Sequence, residues 1–352
     1  MTSRERVLTA LNLKKPDRVP FLDAYIDPNI QRALLRTERL SVPTISETTP
    51  GWESWGSFER QDNKFKLRLA YSISPEFVEK FGLDGFGIDF LPPLFVKVKY
   101  GKQGREFIAD GLLTSDKALK LVTLPDPADE SLYEPARKIL ERYGNEYAVH
   151  GRIRLGVSPA LLSMGIEGFS YVLQDNPALI EKVLDIYTDW SAELVKHLSK
   201  LGFAFLWAFD DIAYNSGPMF SPSVFREIFL PQMKKVANGI RIPWVYHSDG
   251  NLTPLLDDLL TLEMNGLHPI QPDVMDIVEL KKDYGNKICL LGNIDVGLLA
   301  KGIPEEVEKE VKEKIETLAA DGGYILTSGN SIPSYCKPEN VIAVIRAVHK
   351  YG

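Results

Sequence analysis

The chain has 352 residues, 44% of them apolar and 25% charged, enough to bury a large core without disulfide or metal staples. Its formal net charge is −7 and its isoelectric point is near 5.4, which excludes the long-range positive field that draws a protein to nucleic acid or an anionic membrane. Two cysteines, Cys289 and Cys336, form neither a CxxC pair nor a disulfide framework, so the chain reads as cytoplasmic.

The amino terminus, Met1-Thr-Ser-Arg-Glu-Arg6, opens a charged amphipathic stretch with neither a signal core nor a run long enough to cross a bilayer. Apolar runs and amphipathic segments then alternate. The first run is Val19 to Tyr25; the less regular stretch from Asn29 to Trp55 reads as a lid or a surface excursion. After the second run, Gly85 to Phe90, residues 95–127 hold three short stretches separated by turns. These are Phe95 to Tyr100, Arg105 to Ala109 and Ala118 to Leu124, and they predict a short antiparallel insertion. The remaining runs are Tyr147 to Arg152, Ala204 to Asp210, Trp244 to Asp249, Gly266 to Gln271, Ile288 to Asn293, and Tyr324 to Gly329. Helical spacing appears over Pro177 to Leu201, Ser221 to Ala237, Leu252 to Leu262, Asp276 to Tyr284, Pro304 to Ala320 and Pro338 to Tyr351. Eight such units predict an α/β fold, a single (β/α)8 TIM barrel domain over residues 1–352 with an insertion at about 95–127. Its chemistry belongs at the carboxyl ends of the strands.

Those ends are polar. The most informative is Trp244-Val-Tyr-His-Ser-Asp-Gly-Asn251, where His247 and Asp249 face one pocket if the strand continues that far. The plainer reading is a capped strand end, with Asp249 bonding the turn and His247 hydrogen-bonded in a polar mouth. The other run ends supply Asp23 and Asp27, Asp89, His150 and Arg152, Asp210 and Asp211 before Tyr214, His268 and Gln271, Asn293 and Asp295, and Ser328 with Asn330. Such a ring can hold a metal, shuttle protons or grip a polar ligand. Asp210 and Asp211 are adjacent, so only one of them faces the axis of a strand-built pocket. Gln271 before Pro272 and Asn293 after Gly292 also suit turns, and Cys289 sits in an apolar run as a packed thiol.

Several of these segments carry a resemblance. They are Met1 to Leu8 with Pro16-Asp-Arg-Val-Pro20, Asp210 to Pro218 with Ser221 to Glu227, His247 to Asn251, Leu291 to Val296, and Ser328 to Pro333 with Pro338 to Val341. Together they resemble the uroporphyrinogen decarboxylase superfamily, and its corrinoid-linked methyltransferase-like branch more than the decarboxylase itself. The decarboxylase resemblance implies cofactor-free removal of acetate carboxyls from an octacarboxylate tetrapyrrole, gripped by paired arginines soon after the first strand. Here Phe21 to Pro28 places Asp23 and Asp27 there instead, which opposes a polyanion; Arg152 and Arg154 are the cations on offer. The methyltransferase branch implies zinc held by a His-x-Cys pair after the fifth strand and a Cys after the eighth. This chain keeps His247 but has Asp249 and Asn330 at the two cysteine positions, so a third acid is needed, Asp211 or Glu227, the latter in a helical segment.

The resemblance therefore implies a methyltransferase-like enzyme moving a methyl group between a small O- or N-methylated compound and a corrinoid supplied by a partner protein. In that scheme His247 and Asp249 hold zinc or hydrogen-bond the leaving heteroatom, and Asp210 or Asp211 is proton donor or ligand. Asp89, Tyr214, Gln271, Asn293 and Asn330 orient the substrate. The alternatives are a cofactor-free decarboxylase of tetrapyrrole biosynthesis and a non-catalytic binding barrel.

Overall fold

Seven of the eight predicted runs lie side by side and parallel in the computed structural model, which describes residues 1–44, 57–61, 64–100 and 106–352. In chain order the strands are β1 Phe58–Gln61, β2 Lys64–Leu67, β3 Gly87–Asp89, β4 Val96–Tyr100, β5 Glu106–Gly111, β6 His150–Ile153 and β7 Phe205–Phe209. They continue with β8 Ala213–Tyr214, β9 Gly217–Pro218, β10 Trp244–His247, β11 Gly266–His268, β12 Cys289–Ile294 and β13 Tyr324–Ser328. The parallel sheet runs in the order β13-β12-β11-β10-β7-β6-β3. Its strands are short and buried on both faces, as the near-continuous apolar runs require of a parallel sheet covered by crossover helices.

The first run, Val19 to Tyr25, forms no regular strand. It makes one parallel bridge, Phe21 with Leu326 of β13, and its Phe21 carbonyl accepts from the Asp84 backbone just before β3. The segment thus lies between the two edges of the sheet. Its irregularity has a local cause: Pro20 has no N–H to give, and the N–H groups of Phe21 and Tyr25 are taken by the carboxylates of Asp84 and Asp23.

Of the predicted insertion, β4 and β5 pair antiparallel, with a register shift between Lys97 and Val98. The third stretch is not a strand. Ala118–Leu121 is a 3-10 turn, because Ser115 captures the Ala118 N–H with both its carbonyl and its hydroxyl. The hairpin β1–β2 and the helix Pro28–Leu35 were not read from the sequence; residues 45–55 of the lid-or-excursion stretch lie outside the described residues.

The helix Pro177–Leu198 buries Leu179, Ile180, Val183, Leu184, Tyr187, Leu194 and Leu198 along one stripe. Each large apolar side chain so buried contributes ~1.5–3 kcal/mol. A second cluster fills the inner face of the sheet, where Phe205, Trp207, Phe209, Val245, Leu291 and Ile325 meet Val7, Ala10 and Leu11 of the helix Ser3–Leu11. That helix covers the amino ends of the strands: Arg4 donates to the carbonyls of Gly144 and Gly202, both at 3.0 Å. With that end sealed, the carboxyl ends remain for chemistry. Among the described residues no helix is long and apolar enough to cross a membrane.

Candidate active site

His247 is the last residue of β10, and its side chain points to the inner face beside Phe209, with ring centroids 4.7 Å apart. The strand stops there, so Asp249 reaches the same place through a turn rather than along an extended strand. Gly250 makes the turn: its φ is +85°, and a Cβ would come within 2.7 Å of the backbone of Ala213 and Tyr214. The turn is then laced to its neighbours. Ile212 N–H donates to Ser248 Oγ at 3.1 Å, Asn251 N–H to the Tyr214 carbonyl at 2.9 Å, and Gly250 N–H to Gln271 Oε1 at 3.2 Å.

Three polar side chains converge at this turn. Asp211 accepts the Asp249 N–H at 3.1 Å, which fixes its carboxylate 3.5 Å from His247 Nε2. Asp249 lies 3.8 Å from the same nitrogen and accepts from Asn330 Nδ2 at 2.6 Å through its other oxygen. One ligand-capable atom from each of Asp211, His247 and Asp249 lies within 4.8 Å of the others. Asp249 Oδ1 is buried and has no hydrogen-bond partner among the described residues, an arrangement that calls for a further group.

Electrostatics sharpen the picture. Burial, reinforced by the Asp211 charge and opposed by the Asn330 bond, pushes the Asp249 carboxyl up to about 7. Burial also pulls the His247 imidazole down to about 4, against the attraction of Asp211 and together with repulsion from Arg154 and Arg152. A neutral imidazole thus faces two acids, one of which holds its proton near neutrality. A cation held by the group would ionise Asp249 and take a lone pair from His247. The donor set of one nitrogen and carboxylate oxygens fits a divalent metal of the zinc type, as a harder site than one built on thiolates.

The other predicted residues separate. Asp210 is fully buried and turned away from His247: its oxygens accept from the backbone of Leu155 at 2.5 Å and Ser158 at 2.7 Å, at the start of the helix Val157–Met164. Both oxygens are thus engaged in holding that loop, and Asp210, nominated as an acid or ligand, is not among the side chains that converge at the turn. Glu227 is exposed on the helical stretch Ser221 to Ala237 and lies outside the group, so the nearby third acid is Asp211. Asn293 is buried and already committed, donating to the Ile270 carbonyl at 2.6 Å and accepting from Lys314 at 2.7 Å; it is not free to orient a substrate. Gln271 bridges the Gly250 turn to Asn215. Tyr214 is half-exposed on β8 beside the turn.

Asp89 ends β3 and faces Arg152, the nearest atoms 3.2 Å apart. Burial raises its carboxyl while Arg152, Arg154 and Arg68 oppose the rise. Arg152 also lies over the Phe209 ring, 4.4 Å from its centre. The two acids expected to charge the mouth do not do so. Asp23 is buried, accepting from Ser328 N–H at 3.0 Å and Ser328 Oγ at 3.2 Å, and Asp27 caps the helix Pro28–Leu35 through Asn29 N–H. Asp295 likewise caps a helix, through Gly297 N–H. Cys289 and Cys336 are both buried, and burial raises each thiol to about 12, which makes them inert. The sequence put His268 at a run end without giving it a role; the signal was present, since β10 and β11 end opposite each other at His247 and His268.

Comparison with known proteins fits this fold. A family model described as uroporphyrinogen decarboxylase (URO-D) matches residues 68–351. Among curated relatives, a uroporphyrinogen decarboxylase of Pseudoalteromonas translucida is 26% identical over 50% of this chain and 49% of its own length. One of Shewanella loihica is 26% identical over 66% of this chain and 68% of its own. The chain thus spans about half to two thirds of these relatives. Among solved structures, a methyltransferase from Methanosarcina mazei aligns over 100% of this chain and 99% of its own, with a TM-score of 0.73 and 19% identity, which is a likeness of fold. The family match covers most of the chain, from before β3 to the last helix, and carries the whole candidate site: the chain belongs to the uroporphyrinogen decarboxylase family.

Proposed function

We propose that this protein is a cytoplasmic methyltransferase that moves a methyl group between a small O- or N-methylated compound and a corrinoid carried by a separate protein. The observation that carries this reading is the convergence of Asp211, His247 and Asp249 on one point at the carboxyl end of the sheet. The reading takes residues 1–352 as one barrel domain, with Val19 to Tyr25 as the irregular eighth stave of a (β/α)8 barrel and residues 95–127 as an insertion. His247, Asp211 and Asp249 would hold zinc, which when bound supplies Lewis-acid polarisation of the heteroatom bearing the methyl group. The protein's own part is to orient and to manage protons. Asn330 holds the Asp249 carboxylate in place; the Asp249 proton, retained near neutrality, is available to the leaving heteroatom when no metal occupies the group. Tyr214, Gln271 and Asp89 border the mouth as contacts for the substrate.

Decarboxylation of a polycarboxylate is the second reading. Arg152, Arg154 and Arg68 around Asp89 are the observation in its favour, and the two acids beside His247 weigh against it. The deciding experiment offers the full chain reduced cobalamin with a panel of methoxylated and N-methylated compounds, and separately uroporphyrinogen. Methylcobalamin formation, read by its absorbance and lost in His247→Ala, is the expected result. Carbon dioxide release from uroporphyrinogen without any methyl transfer would reverse the ranking, and no turnover in either assay would leave a binding protein.

A further inference from the structure

β10 and β11 pair in parallel with His247 opposite His268. Their rings meet edge to edge, with planes 28° apart and centroids separated by 4.9 Å, and their Nδ1 atoms are 2.6 Å apart. Two nitrogens at that distance share one hydrogen: one is the donor and the other must present a lone pair. The other nitrogen of His247, Nε2, is the atom 3.5 Å from Asp211 and 3.8 Å from Asp249. The His268 ring has little freedom, being fully buried with the edge of Trp207 against it at 4.9 Å. Its Nε2 has no partner among the described residues, so the bond to His247 is the polar contact that defines its side chain.

We propose that His268 is the positioning residue that sets which ring nitrogen of His247 carries a proton, through the bond between their Nδ1 atoms, leaving Nε2 of His247 to present its lone pair to a cation between Asp211 and Asp249. The cation half of this statement rests on the metal reading above. When Nε2 gives up its lone pair, the single proton of a neutral His247 sits on Nδ1, deep in the inner face of the sheet. Among the described residues only His268 is placed to accept it, and His268 then keeps its own proton on Nε2. Remove that acceptor and the proton of a cation-bound His247 is buried without a partner. Asparagine at position 268 restores an acceptor, since its amide oxygen occupies roughly the place of Nδ1.

The test has two arms on the full chain. In histidine-labelled, metal-free protein, a nitrogen–nitrogen coupling across the hydrogen bond between Nδ1 of His247 and Nδ1 of His268 is expected, and its absence overturns the inference. In zinc titrations, His268→Leu should bind roughly 10–100-fold more weakly than the unmodified protein, while His268→Asn stays within about threefold of it. A folded His268→Leu variant that binds zinc as tightly as the unmodified protein also overturns the inference. Should His268→Leu fail to fold, the coupling and the His268→Asn affinity still decide. Should the unmodified protein take up no zinc while the coupling is present, the metal reading fails; the role of His268 then stands if the one-bond N–H coupling places the shared hydrogen on Nδ1 of His247, and is overturned if it lies on Nδ1 of His268.

Discussion

Asp249 owes its unusual state to burial and to two neighbours, Asp211 and Asn330, that act in opposite directions and can be replaced separately. Asn330 is the only one that favours the ionised form. Asn330→Ala should therefore raise the Asp249 midpoint above about 7, readable as a carboxyl carbon titration by NMR, and should weaken zinc binding about tenfold by freeing the carboxylate to swing. Asp210, one residue from Asp211, should behave in the opposite way. Asp210→Ala strands two buried N–H groups, at Leu155 and Ser158, and should cost about 1–3 kcal/mol of stability per group in denaturant unfolding while leaving zinc affinity unchanged. Equal loss of affinity in both variants would mean that Asp210 belongs to the site after all. At this scale the sequence could announce that the two acids face different ways, because adjacent strand residues alternate. It could not say which one faced His247, because that depends on Asp249 N–H reaching Asp211 and on the Val157–Met164 helix start reaching Asp210. Asn293 eluded the reading for a similar reason: its partners, Ile270 and Lys314, come from elsewhere in the chain.

The elements whose apolar runs are buried on both faces were legible almost to their ends, since a parallel strand has nowhere to expose a polar side chain until it emerges at the mouth. The legible signal failed where local polar chemistry outbids the ladder, as at Val19 to Tyr25 and at Ser115 to Leu121, and where two four-residue strands, β1 and β2, are too short to show a period. The helix Ser3–Leu11 was seen only as amphipathic, yet it seals the amino end of the sheet. Its anchor is Asp84, fully buried, which accepts from Arg6 at 2.7 Å, from Arg18 at 2.8 Å and from Phe21 N–H at 2.8 Å. Asp84→Ala strands the buried Phe21 N–H and takes one partner from Arg18 and from Arg6, which keeps its pair with Asp17, and a loss of about 1–3 kcal/mol is expected in chemical unfolding. A loss below about 1 kcal/mol would show that the network is a surface ion pair in energetic terms and that the helix is held by Val7, Ala10, Leu11 and the Arg4 bonds without help from Asp84.

Across the whole molecule, buried acids set the response to pH. Burial pushes the Asp23 carboxyl up to about 7, and its bonds from Ser328 offset this only in part. In the unfolded chain the same group titrates near ~3.9. Between these values the folded state holds a proton that the unfolded state has lost, so this contribution to stability is fully present below the unfolded value. It declines as pH rises through that range to the folded value. Asp23→Asn should flatten the decline between about pH 4 and 7, measured as Tm against pH; an unchanged slope would assign the dependence to other groups. The overall acidity legible in the composition therefore does not translate into an acidic mouth by way of Asp23 and Asp27. The acids at the mouth are Asp211 and Asp249, and what they do next to a neutral His247 is the question on which the functional reading turns. Calorimetric titration of zinc into chelator-treated full-length protein puts it directly: the account predicts one tight site per chain, with proton release, abolished by His247→Ala and by Asp249→Asn. A protein that binds no zinc, or binds it equally well without His247, would contradict it.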